Sequence, residues 1–61
     1  MRPPKFKIGE VVYHVTPDSP KGFILNAKYD LLDDKWEYEV AFGIQEALIY
    51  HEHELQLNKT F

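Results

Sequence analysis

One stretch of the chain, residues 36–42, constrains the fold more than any other. Its apolar and polar residues alternate strictly, with Trp36, Tyr38, Val40 and Phe42 set against Glu37, Glu39 and Ala41. Side chains on a β-strand point to opposite faces in turn, so this period of two predicts one buried face and one mostly acidic face. The stretch therefore predicts a half-buried strand, and the rest of the fold has to cover its apolar side.

Four further strands are predicted from short runs of β-branched, aromatic and aliphatic residues, at positions 11–15, 23–29, 47–50 and 55–57. A loop rich in proline and glycine at 16–22, a polar turn at 30–35 and a short connection at 43–46 separate them. A single helical turn is predicted at residues 51–54. The rival interpretation is a helix over 44–57, which propensity allows, although charge would interrupt its broad apolar face.

The chain has 61 residues and no cysteine, so it is sized for one small domain without disulfides. Five short strands bury their apolar faces best by curling into one small barrel. We therefore expect an all-β, five-stranded barrel over residues 6–58, with a short helical turn before the last strand. Residues 1–5 form an extended tail and 59–61 a second tail. The predicted core is Phe6, Ile8, Val12, Ile24, Tyr38, Val40, Phe42 and Leu55.

The order of these features resembles the Tudor-like branch of the SH3-like small barrels. The opening run from Phe6 to Glu10, the strand that begins at Gly22, the Tyr-x-Val-x-Phe pattern at 38–42 and the closing Glu54-Leu55 carry the resemblance. The chain is also similar to polymerase-interacting small barrels and to small uncharacterised proteins of phages and bacteria. The resemblance implies an SH3-like (Tudor-like) fold. Function does not follow from a fold alone.

Binding to a protein partner is the function that the sequence favours, because the aromatic residues exceed what a small core needs. The predicted partner-binding residues are Tyr13, Tyr29 and Trp36, with a strand edge as a second means of contact. Trp36 could equally belong to the core, whereas Tyr13 is expected to be exposed. A second copy of the chain is an alternative partner. The absence of a signal or membrane-spanning run predicts a cytoplasmic protein.

The alternative function is weak binding of nucleic acid by a basic rim on the first half of the chain. Lys5, Lys7, Lys21 and Lys28 would form this rim. The net charge of −3 counts against it, since phosphate binding requires a basic surface.

Catalysis and metal binding have little support in the sequence. Neither a glycine-rich phosphate loop nor a serine in a nucleophile elbow is present, so no enzyme activity and no cofactor are expected. His51 and His53 could hold Zn²⁺ or Ni²⁺ if they shared a strand face, but two ligands do not complete a site. A solvated polar turn is the simpler interpretation of these histidines.

Overall fold

A computed structural model describes residues 3–59 of the chain. Its elements, in chain order, are β1 (Val11–His14), β2 (Gly22–Asp30), β3 (Lys35–Phe42), β4 (Leu48–His51), a 3-10 turn (Glu52–Glu54) and β5 (Leu55–Gln56). All five predicted strands and the turn before the last strand are confirmed. The rival helix over residues 44–57 is wrong, because β4 pairs with β3 along this part of the chain.

The strands form one antiparallel sheet in the order β4-β3-β2-β1-β5. In a flat sheet the two edge strands would lie four spacings apart, roughly 19 Å. They are joined by the 3-10 turn alone, which advances the chain by roughly 8 Å from His51 to Leu55. The sheet must therefore be strongly curled. Within residues 3–59 no ladder joins β4 to β5, so the predicted barrel is not closed.

The concave side of the curled sheet holds the core. Seven of the eight predicted core residues are buried: Phe6, Val12, Ile24, Tyr38, Val40, Phe42 and Leu55. Ala27, Trp36 and Tyr50 pack against them. Tyr38, Val40 and Phe42 are the residues that the alternation in β3 predicted to point inward.

The eighth predicted core residue, Ile8, is wrong, since 66% of its surface is exposed. The N–H of Glu10 donates to the carbonyl of Lys7, and Gly9 has a φ of +87°. These are the features of a β-turn with Ile8 at its first corner and glycine at its second. A corner side chain points away from the turn, so Ile8 faces solvent although its neighbours suggest a strand.

A β-bulge divides β2 into two parts with opposite side-chain phase. Ile24 lies opposite Val40, but Asn26 lies opposite the next residue, Glu39, so Leu25 is the extra residue. Before the bulge the even-numbered Gly22 and Ile24 are buried. After it, the odd-numbered Ala27 and Tyr29 turn inward, and the strand keeps its apolar residues on the concave side.

The N-terminal segment is attached to the core through the hydroxyl group of Tyr38. This hydroxyl donates to Glu52 Oε2 at 2.6 Å and accepts from the N–H groups of Lys5 and Phe6 at 3.0 and 3.3 Å. Burial raises the pKa of Tyr38 to about 12, and the hydrogen bond to Glu52 adds to the increase. The ring of Phe6 packs edge-on against that of Tyr38, with centroids 5.3 Å apart.

Candidate functional site

The convex side of the sheet, which we call the outer face, is apolar over half of its extent. Val11, Phe23 and Ala41 lie side by side on β1, β2 and β3, and they share this face because paired residues point to the same side. Phe23 is 48% exposed, and Leu25 in the bulge is 51% exposed. Outward positions of a solvated antiparallel sheet are ordinarily polar.

Tyr13 borders this apolar area. It lies two residues beyond Val11 on β1, so it shares the outer face, and it pairs with Gln56 of β5. The structure leaves it half-buried rather than fully exposed. We refer to Val11, Tyr13, Phe23 and Leu25 together as the outer apolar patch.

The other half of the outer face is mainly polar and carries two glutamates and one lysine. Lys28 lies opposite Glu37, which lies opposite His51, while Glu39 stands between Asn26 and Ile49. A shallow hollow of about 470 Å³ lies over this region, lined by Asn26, Lys28, Glu37, Glu39 and Ile49. The boundary between the two halves follows the bulge in β2.

Tyr29 and Trp36 form a pair at the far end of the β2–β3 hairpin. They are direct cross-strand neighbours, and their rings meet at 62° with centroids 5.2 Å apart. Both are half-buried, so Trp36 is neither fully core nor fully surface. Next to them the hairpin tip exposes Leu31 and Leu32, the latter to 96%. These two leucines were not among the predicted binding residues.

The hairpin tip is ordered by its own acidic residues. Asp30 Oδ1 accepts hydrogen bonds from the N–H groups of Leu32 and Asp33, and the Tyr29 hydroxyl donates to Asp34. An aspartate that binds backbone N–H groups two and three residues ahead is a common way to hold a turn. The leucines are thus presented on a defined loop.

The three predicted partner-binding residues do not form one surface. Val12 pairs with Gly22, so Tyr13 lies level with Lys21, eight positions along β2 from Tyr29. At about 3.3 Å per residue this separation is roughly 25 Å. Tyr13 belongs to the outer apolar patch, whereas Tyr29 and Trp36 lie on the concave side at the hairpin end.

Three aromatic rings form a cluster between β1, β3 and β4, and their proximity was not predicted from the sequence. The rings of His14, Phe42 and Tyr50 meet edge to face, with centroids 5.2 to 6.3 Å apart. They line a cleft of about 270 Å³ beside the β1–β2 loop. Rings at these distances touch one another, so they pack as a cluster. Strand alternation places Phe42 and Tyr50 on the same side of the sheet, which was the signal available in the sequence. The curl of the sheet then brings the ring of His14 on β1 against them.

The four lysines of the predicted nucleic-acid rim are all exposed, but they are distributed over several parts of the surface. The ammonium group of Lys5 lies 5.5 Å from the centre of the Phe6 ring, and Lys28 lies opposite Glu37 on the outer face. Lys7 precedes the first turn and Lys21 precedes β2. The nucleic-acid hypothesis remains a prediction.

His51 and His53 lie at the 3-10 turn, with parallel rings whose centroids are 5.6 Å apart. His14 points elsewhere, toward Thr16 and Glu54. Across residues 3–59 no group of three or more His, Cys, Asp or Glu side chains could hold a metal ion. Ser19 is buried, where its hydroxyl accepts from the N–H of His14 and donates to the carbonyl of Pro20. Its hydrogen bonds hold the loop.

No helix in the described part of the chain has the length and apolar character needed to span a bilayer. No protein-family model matches the chain, and neither a curated protein nor a solved structure is similar enough to match it.

Proposed function

We propose that this chain is an SH3-like (Tudor-like) small barrel that acts in the cytoplasm as a non-enzymatic interaction module for a protein partner. The strand order, the strong curl and the 3-10 turn between the edge strands support this assignment of the fold. The opening motif at residues 6–10 and the Tyr-x-Val-x-Phe pattern of β3 support it from the sequence.

The observation that carries the proposed function is the outer apolar patch. Its central residue, Phe23, stands exposed between Val11 and Ala41 with Leu25 beside it. Contiguous apolar surface on a small domain marks a contact site, because water disfavours it and a partner can cover it. Covering about 100 Å² of such surface contributes roughly 2.5 kcal/mol. The patch therefore provides the interface centre.

The hairpin end is the second surface on which a partner could bind. Tyr29, Trp36 and the two tip leucines offer aromatic and aliphatic contacts there. We place the main interface on the outer apolar patch because its residues belong to three paired strands. Rigid surfaces lose less conformational entropy on binding than loop tips do.

The test is quantitative affinity capture with three variants of the full chain. Phe23→Lys disrupts the outer apolar patch, Leu32→Lys disrupts the hairpin tip, and Asn26→Lys is the control. Asn26 is an exposed residue of the same strand. We expect a specific partner to be retained by Asn26→Lys and Leu32→Lys and lost from Phe23→Lys. Circular dichroism should show that all three variants are folded, since each replaces an exposed side chain.

Loss of the partner from Leu32→Lys with retention by Phe23→Lys would instead assign the interface to the hairpin end. Retention by all three variants would contradict both sites.

A further inference from the structure

The free edge of β4 is the feature that extends the proposed function. We propose that this edge accepts an extended, basic segment of a protein partner, which adds to the sheet as a sixth strand. The proposal concerns a different surface from the outer apolar patch and does not require that patch to bind anything.

The topology leaves β4 with one unpaired side. In the described part of the chain, β4 forms its ladder with β3 alone, and it ends the sheet order. On an antiparallel edge strand, alternate residues direct their N–H and C=O groups away from the sheet. These groups form a template on which another strand can pair.

Three features that commonly protect an edge are missing from β4, although the N–H of His51 at its end already donates to Glu54 Oε1. Its four residues include neither lysine nor proline, and its register with β3 runs without a bulge. Leu48 and Ile49 point to opposite sides and both are exposed, Ile49 to 59%. The opposite edge strand, β5, is only two residues long, which is itself a protection. β4 is therefore the edge that can receive a strand.

Charge identifies the chemistry of the partner. Residues 36–58 contain five glutamates and neither lysine nor arginine. Glu39 lies directly opposite Ile49, Glu37 lies opposite His51, and Glu46 is exposed just before β4 begins. A second copy carries the same acidic excess over residues 36–58, so its edge would supply no compensating positive charge. A basic segment is attracted instead, and the attraction also raises its association rate.

The two sides of β4 predict how the incoming strand alternates. Its side chains on the outer face would lie beside Ile49 and two strand spacings, roughly 10 Å, from Glu39 and Glu37 of β3. The long side chains of lysine or arginine can extend over Ile49 toward these carboxylates. Those on the other side would lie beside Leu48, which favours aliphatic residues. The partner segment should therefore alternate between basic and aliphatic residues.

The experiment is a titration of the isotope-labelled full chain with a peptide of about ten residues that alternates Lys and Val, followed by amide NMR spectra at low salt. A Glu-Val peptide of equal length is the charge control. We expect saturable shifts at residues 48–51 with the Lys-Val peptide and none with the Glu-Val peptide. Ile49→Lys should weaken binding about tenfold or more, while Ile8→Lys, at an exposed turn off the edge, should leave it unchanged.

Four results would overturn the proposal. They are equal binding of both peptides, shifts that map away from β4, no saturable shift, or β4 shifts that depend on protein concentration alone. The last result would identify a second copy as the occupant. Phe23→Lys should bind the Lys-Val peptide normally, so a failure here is distinguishable from a failure of the outer apolar patch.

Discussion

The two ends of the β2–β3 hairpin are built from similar residues but are buried very differently. At the near end, Ile24, Val40 and Phe42 are almost inaccessible to solvent. At the far end, Tyr29 and Trp36 are half-buried and the tip leucines are exposed. β1 pairs with β2 only at Gly22 and Phe23, so the part of β2 beyond the bulge pairs with β3 alone.

This contrast shows that an apolar side chain of this small domain is buried only where another strand or segment covers it. Leu31 and Leu32 are as hydrophobic as any core residue, yet they lie beyond the reach of β1, β5 and the N-terminal segment. Gly22, by contrast, is buried because it pairs on one side with Val12 and on the other with Phe42. Substitutions at the two ends should therefore have very different effects on stability.

The largest effect is expected for Val40→Ala at the near end. Removing two methyl groups from a fully buried site loses their transfer free energy and leaves a cavity, at a cost of about 2–5 kcal/mol. That is a large share of the stability of a domain of this size. Chemical denaturation of the variant measures the change, with Leu25→Ala, an exposed leucine, as the control. A wild-type midpoint for Val40→Ala would mean that β3 is in the wrong register.

Gly22→Ala is expected to have the next largest effect. A Cβ at this position would lie 2.6 Å from the Phe42 ring and 2.8 Å from a Val40 methyl group, so buried side chains would have to move. Overpacking of this kind costs about 1–3 kcal/mol. Thermal unfolding measures it, and adding Phe42→Leu should recover part of the loss by making room. No recovery in the double variant would rule out the ring as the obstacle.

Tyr38→Phe should lower the free energy of unfolding by about 1–3 kcal/mol, because the buried N–H of Phe6 loses its acceptor. Glu52 and the N–H of Lys5 each lose one hydrogen bond but keep the bond between them. The effect should depend on pH. Folding raises the pKa of Tyr38 to about 12 from an ordinary value of 10.0, so folding favours the neutral hydroxyl.

The stability that the neutral Tyr38 hydroxyl contributes is fully present below pH 10 and is lost as the pH rises toward 12. Denaturation curves between pH 9 and 12 should therefore converge for the wild type and Tyr38→Phe. A constant difference across this range would show that the hydroxyl group does not titrate in this way.

The smallest effect is expected for Leu32→Ala at the far end. Its side chain is almost fully exposed, so truncation should change the free energy of unfolding by no more than about 0.5 kcal/mol. Denaturation of Leu32→Ala and Val40→Ala under the same conditions would give the ratio of their two losses in unfolding free energy. A loss above about 1 kcal/mol would mean that the tip packs against another surface, such as a second copy.

The proposed binding surfaces were less predictable than the strands. Tyr13, Tyr29 and Trp36 were identified as aromatic residues near strand ends, and their half-burial leaves each able to contact a partner. Phe23 and Leu25 were missed because they lie in a run that looks uniformly apolar, in which only the register assigns a face. Leu48 and Ile49 acquire their significance from the edge position of β4, which is a property of the whole sheet.

By itself, the sequence determined the strands and most of the core. The alternation in β3, the turn residues between strands and the predicted inward positions are local properties, and side-chain periodicity translates them directly into one buried face. The exposed corner at Ile8 comes from a local turn over residues 7–10, whose glycine was present in the sequence. The bulge at Leu25 and the meeting of His14 with Phe42 and Tyr50 appear only in the folded chain. Both depend on pairing between residues far apart in the chain, where backbone hydrogen bonds and the curl of the sheet outweigh local preference.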